Sequence, residues 1–288
     1  MGGGPCPPSL PGGGQGAGAG LFERKACLLL RGERHSGLSH ASALALGTKE
    51  GTPPPSLERV STGIEGLDIM MEGGMFRGFS LLVAGGPGTG KTSFGLQFIH
   101  EGARQGERSI IVSLSARPTK VMSLSASIGL DLQPFVEQGL VSFFYRFPTG
   151  LNAHELFFQI QQRVEEGTVQ RLLFDSLSDL QTGMTSRSEF HDYVYSLLDL
   201  LGTHGVTSVL TTGLEEGGGQ EGQVDPTLAM MVDAILLLRF EELHGRRRKM
   251  VSLLKMRGTD HDAGSRGFKI TSHGVVVEAA FIERELFR

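Results

Sequence analysis

The chain has 288 residues, of which 39% are hydrophobic, and a formal net charge of −4. That length allows one large α/β domain with tails or two small domains, and the acidic balance argues against a global field for nucleic acid. The two cysteines, Cys6 and Cys27, give the folded part no disulfide framework, and no run approaches the roughly 18 apolar residues of a membrane span, so a cytoplasmic protein is expected.

The first 20 residues hold 9 Gly and 4 Pro and cannot bury enough apolar surface to offset backbone entropy. Residues 1–57 are therefore predicted to form a disordered extension, and residues 58–288 the folded domain. From Ser80 onward, short β-branched runs alternate with helical stretches. Ser80–Ala84 reads as a strand and Lys91–Arg104 as a helix. Arg108–Leu114 is a second strand, followed by helical patterns within Pro118–Gln138. Leu140–Tyr145 is a third strand, Asn152–Glu166 a helix, and Arg171–Asp175 a fourth strand. Arg187–Thr203 repeats apolar residues at helical spacing before the strand Val206–Thr212. This alternation predicts a mostly parallel sheet with helices on both faces. The segments Asp233–Phe240, Lys249–Arg257, Phe268–Thr271 and Val275–Glu278 are strands separated by turns, which predicts an antiparallel extension on one edge.

Gly85-Gly86-Pro87-Gly88-Thr89-Gly90-Lys91-Thr92 fits GxxxxGK[ST] between a predicted strand and a predicted helix. Glycines let backbone N–H groups turn inward around an anion, and the helix start adds partial positive charge. Lys91 is placed to meet the β- and γ-phosphates of ATP, and Thr92 to ligate Mg²⁺. The competing reading, a chance match in a Gly-rich chain, is weakened by the two flanking elements. Asp175 ends the apolar strand Leu172-Leu173-Phe174 and is expected to hold the magnesium water shell from a strand neighbouring that of the P-loop. An ordinary turn-starting Asp is the alternative.

From Ser61 onward the chain resembles the KaiC family of RecA-like P-loop ATPases. The resemblance rests on Ser61-Thr62-Gly63-Ile64-Glu65-Gly66-Leu67-Asp68 with Gly73-Gly74, on Lys255-Met256-Arg257-Gly258-Thr259-Asp260-His261-Asp262, and on Ile270-Thr271-Ser272-His273-Gly274. It implies a RecA-like fold and a hexameric ring with ATP between subunits. It also implies that Lys255, Arg257 and His261 contact the ATP of the adjacent protomer. Lys and Arg at alternate strand positions share a face, although two solvated surface charges would read the same way. The family's adjacent catalytic Glu pair falls on Ser115 and Ala116, neither of which can polarise a water as a carboxylate does. The resemblance places the Ser-Thr phosphoacceptor pair of the family's namesake at Ala229-Met230, so self-phosphorylation there is not supported.

Arg246-Arg247-Arg248-Lys249 is read as a solvated turn between two edge strands rather than a nucleic-acid patch. The loop opening at Glu215-Glu216 is acidic and Gly-rich, which suits phosphate backbones poorly. The expected function is an ATP-binding, ring-forming protein with weak or absent hydrolysis that serves as a regulatory or scaffold module. An active ring ATPase working on a protein partner is the second reading. A RadA-type DNA-repair accessory is the third, disfavoured by the acidic loop and the missing zinc-finger cysteines.

Overall fold

In the computed structural model the described residues are 56–147, 151–215, 222–243 and 245–279. The expected N-terminal extension, apart from its last residues, and the centre of the loop after Glu215 lie outside them. The folded domain begins with a short antiparallel pair, β1 (Arg59–Val60) and β2 (Met75–Phe76), which brackets helix α1 (Glu65–Met70). Asp68 fixes this entry, because its carboxylate accepts from the Ser61 and Thr62 hydroxyls at 2.6 Å and from the Thr62 N–H at 2.9 Å.

The remaining strands are β3 (Ser80–Gly85), β4 (Arg108–Ser113), β5 (Val141–Tyr145), β6 (Val169–Asp175), β7 (Thr207–Thr212), β8 (Ala234–Leu243), β9 (Arg246–Met256), β10 (Arg266–Thr271) and β11 (Gly274–Val277). They form one nine-stranded sheet in the order β11-β10-β9-β8-β3-β7-β6-β4-β5. From β8 through β5 every pairing is parallel, and β9, β10 and β11 extend the sheet antiparallel. Thus β8, expected in the antiparallel edge, completes the parallel part against β3. The central strands read as unbroken apolar runs because both faces are covered. Leu81–Ala84, Ile110–Val112 and Leu172–Phe174 are all buried.

Helices α2 (Lys91–Arg104), α3 (Pro118–Ser127), α4 (Gln133–Glu137), α5 (Ala153–Glu165), α6 (Leu177–Thr182), α7 (Arg187–Thr203) and α8 (Pro226–Met231) complete the domain. Side-chain caps define several starts. Asn152 accepts from the Glu155 N–H at 3.1 Å, and Ser186 from the Glu189 N–H at 3.1 Å. Each such cap satisfies a backbone donor that the helix itself cannot.

Arg171 on β6 is fully buried and ties three parts of the domain together. Its guanidinium pairs with Glu107, donates at 2.9 Å to the carbonyls of Ser61 and Phe98, and lies 4.6 Å from the centre of the Phe98 ring. Gly102 on α2 makes room for it, since a Cβ there would stand 2.4 Å from Arg171 Cδ. Glu107 is shared with Arg77 at 3.0 Å, and Arg77 also holds Glu58 at 2.8 Å. A charge taken so far from water is tolerable only with partners of this kind.

The β8–β9 hairpin is longer than its neighbours. β3 pairs with β8 no further than Leu238, and β10 meets β9 only at Met250 and Val251. Residues 239–243 and 246–249 therefore project past the sheet as a two-stranded arm. The basic run Arg246–Lys249 is part of this arm's strand, facing Phe240–Leu243, and not a turn as expected. Arg247 stacks 4.0 Å from the Phe240 ring centre.

Candidate functional site

The P-loop leaves β3 at Gly85 and enters α2 at Lys91, the strand–loop–helix context its chemistry needs. Gly90 closes the loop with φ of 115°, a conformation that L side chains rarely adopt, and a Cβ there would meet Ile270 Cδ1 at 2.7 Å. Around Gly86 and Gly88 an added Cβ would meet nothing within 4 Å, so the loop's mouth is open. Thr89 holds the turn by donating its hydroxyl to the Gly86 carbonyl at 2.8 Å.

Lys91 Nζ curls back to the carbonyls of Gly85 at 2.8 Å and Gly86 at 3.1 Å. Burial pushes its pKa below the ordinary value, and the negative charges of Asp175 and Asp179 oppose that shift. Thr92 Oγ1 donates to Asp175 Oδ2 at 3.0 Å, and Thr211 Oγ1 donates to the other oxygen of the same carboxylate. Burial pushes the Asp175 carboxyl upward, while these two hydroxyls pull it back. A half-buried ammonium, an open glycine-rich loop at a helix start and a hydroxyl–carboxylate pair form a set that fits a nucleoside triphosphate with a hard divalent cation. The strands carrying these groups are not neighbours, contrary to expectation. β7 lies between β3 and β6, and its Thr211 supplies the bridge.

The end of β4 lies beside Asp175, since Ser113 is its register partner and the Leu114 N–H donates to the Asp175 carbonyl at 3.2 Å. Two strands separate β4 from the P-loop strand. Ser115 is exposed, and Ala116 packs against the hydrophobic core. The Ser113 hydroxyl is engaged with the Ala116 carbonyl at 2.8 Å. This strand end offers no carboxylate.

Lys255 and Arg257 do not converge on this chain's own P-loop. Lys255 is the register partner of Ile235, which pairs with Leu82, whereas Gly85 pairs with Leu238. Lys255 thus lies about 10 Å along the strands from Gly85 and two strands across. Its Nζ donates to the carbonyls of Ala229 at 2.8 Å and Val232 at 2.6 Å. Arg257 follows the last residue of β9 and donates to the Met230 carbonyl at 2.8 Å and to Asp233 at 3.3 Å. Both cations therefore share a face at the C-terminal end of α8, where helix carbonyls favour positive charge. His261 sits in the loop after β9, half-buried, with its Nδ1 3.5 Å from the Thr259 carbonyl.

Sequence reasoning did not single out Asp179. It lies in the first turn of α6 and accepts from the Ser176 hydroxyl at 2.7 Å. The Ser176-x-x-Asp179 spacing after an apolar strand is a capping-box pattern and would have marked this helix start.

A P-loop at the end of β3, an acid closing β6 and the strand order around them define a RecA-like α/β nucleotide-binding domain. The family described as "ATPase: KaiC" matches residues 60–280, and the chain belongs to it. Among similar proteins is the circadian clock oscillator protein KaiC of Parathermosynechococcus lividus, 30% identical over 82% of this chain and 43% of the relative. KaiC of Prochlorococcus marinus is 30% identical over 88% of this chain and 52% of the relative. KaiC of Picosynechococcus is 28% identical over 82% and 46%. The chain spans about half the length of these curated relatives. Membership in the family implies ATP binding. Among the described residues no helix is long and apolar enough to cross a membrane.

Proposed function

We propose that this chain binds ATP–Mg²⁺ through Gly85–Thr92 and Asp175 and uses the nucleotide chiefly to assemble with copies of itself. In this reading Gly85, Gly86, Pro87, Gly88, Thr89 and Gly90 cradle the phosphates, and Lys91 neutralises them. Thr92 and Asp175 hold the metal, which when bound draws charge from the phosphate oxygens. Lys255, Arg257 and His261 reach the nucleotide of a neighbouring subunit. The placement of Lys255 and Arg257 on the α8 face, away from the P-loop of the same chain, supports a role across a boundary.

The observation that carries the regulatory or scaffold role is the end of β4. Ser115 and Ala116 stand there without a carboxylate, and a general base is typically worth about 10²–10⁴-fold. Turnover is therefore slow while binding is intact, and the partner is a protein rather than nucleic acid.

The experiment is steady-state ATP turnover beside sedimentation velocity with and without ATP–Mg²⁺. ATP-dependent assembly with slow turnover is the expected result. Brisk hydrolysis would replace this reading with that of an active ring ATPase. Ser115→Glu is the cleaner restoration, because Ala116→Glu would set a charge against the core, and it is expected to raise turnover by one to a few orders of magnitude, roughly the value of such a base.

A further inference from the structure

A second concavity lies at the opposite end of the sheet from the P-loop. Ser80 begins β3 and Gly85 ends it, so roughly 17 Å of strand separates the two. Here the last turns of α7, the first residues of β3 and β7 and the end of α8 border a cavity of about 340 Å³. Sites for small molecules begin at about that size. Its strand side is a polar row, since Ser80 pairs in register with Ser208 and the Asp233 N–H donates to the Ser80 carbonyl at 3.2 Å. Asp199 of α7 lines the other side.

The donors of this row are spent within the fold. The Ser80 N–H and hydroxyl both go to Asp233 Oδ2, at 2.9 and 2.8 Å, and the Ser208 N–H goes to the Phe79 carbonyl at 3.0 Å. What remains is oxygen. Ser208 is 1% exposed, and its Oγ has no hydrogen-bond partner among the described residues. Among those residues the Asp199 carboxylate has neither an ion pair nor a hydrogen bond. The second oxygen of Asp233 meets Arg257 at 3.3 Å, long for a charge-assisted contact. No Lys, Arg or His lines the cavity. An unpaired buried hydroxyl is costly, and the space beside it exceeds the roughly 30 Å³ of one bridging water.

We infer that this cavity binds an organic ammonium on an aliphatic stem, either a free polyamine or a lysine side chain of another chain. An ammonium carries three donors and a full charge, which suits the acceptors left on α7, on β7 and just before β8. Leu198 and Met231 supply apolar surface for the methylenes, and the Tyr195 ring, 62% exposed, offers a face to the charge. A carboxylate or phosphate would instead meet two like charges and no cation of the lining. None of these groups belongs to the P-loop, so binding here does not depend on ATP.

The test titrates the full chain with cadaverine, spermidine and Nα-acetyl-lysine methylamide, read by ligand-observed NMR, with pentanol and pentanoate as controls. The amines are expected to bind, and the alcohol and the acid are not. A lysine derivative at least as tight as cadaverine assigns the site to a side chain of another chain, and a weaker one to a free polyamine. Asp199→Asn keeps the shape, removes a charge from an exposed position and should weaken the amines by about tenfold or more. Ser208→Ala should also weaken them, while the unfolding temperature holds or rises because an unpaired buried hydroxyl has gone. A lowered unfolding temperature with unchanged amine binding would make Ser208 structural and overturn the assignment. So would amine binding that is absent, matched by pentanol, or indifferent to Asp199→Asn.

Discussion

Thr92 Oγ1 donates a 3.0 Å hydrogen bond to Asp175 Oδ2, joining the first turn of α2 to the end of β6 with β7 lying between. The contact is made by residues 83 positions apart, and Thr211 of β7 completes it from the other side. A hydroxyl and a carboxylate already in register need little rearrangement to share a cation.

Lys91→Ala tests the phosphate side of that site. The ammonium rests on two P-loop carbonyls at 2.8 and 3.1 Å. Removing a charge-assisted contact of this kind should weaken ATP binding by roughly 1.5–3 kcal/mol, about ten- to a hundredfold. Calorimetry reads the change directly, and an unaltered affinity would refute the assignment.

Arg257→Ala tests the subunit boundary. Within its own chain Arg257 is half-exposed, and its pair with Asp233 is a surface contact worth about 0–1 kcal/mol. The variant should fold and bind nucleotide as a dilute monomer while losing ATP-dependent assembly. Sedimentation at matched concentrations checks this, and identical oligomers would remove the cross-boundary role.

Glu107→Ala is expected to destabilise the fold by about 3–5 kcal/mol, since it strands the buried Arg171 guanidinium without its counter-charge. Chemical denaturation measures the loss. Replacing both partners by apolar residues, as in Arg171→Met with Glu107→Leu, should recover much of it. A single variant as stable as wild type would show that the ion pair contributes little.

Asp225 gives the acid side of the stability profile. Burial alone would raise its pKa, but His191, the Thr227 N–H, Arg187 and the Leu228 N–H together hold it below 3.8. A depressed carboxylate contributes stability that is present above pH 3.8 and lost as pH falls through the folded value. Asp225→Ala should therefore cost about 1 kcal/mol at neutral pH through the lost α8 cap, and the gap to wild type should narrow below pH 3.8. A gap constant with pH would mean that the charge is immaterial.

The P-loop, the sheet class and α2 and α7 were legible because each is a contiguous pattern. Lys91–Arg104 and Arg187–Thr203 match the structure at both ends. The β1–β2 pair, α1, α6 and α8 were not read, since two-residue strands and six-residue helices are too short to show a period. Long-range facts were hidden for another reason. Nothing local in Arg171 announces a partner 64 positions away, and nothing in β8 tells that it lies parallel to β3.

The arm formed by residues 239–243 and 246–249 has strand edges unpaired on both sides among the described residues. Such an edge is a template on which another chain can add a strand, the first step towards a fibrillar aggregate. Four successive cations from Arg246 to Lys249 make stacking of one β9 edge on another electrostatically unfavourable, since like charges would lie opposite one another. Neutralising them should therefore show itself first as precipitation of concentrated protein, before any loss in the P-loop is seen.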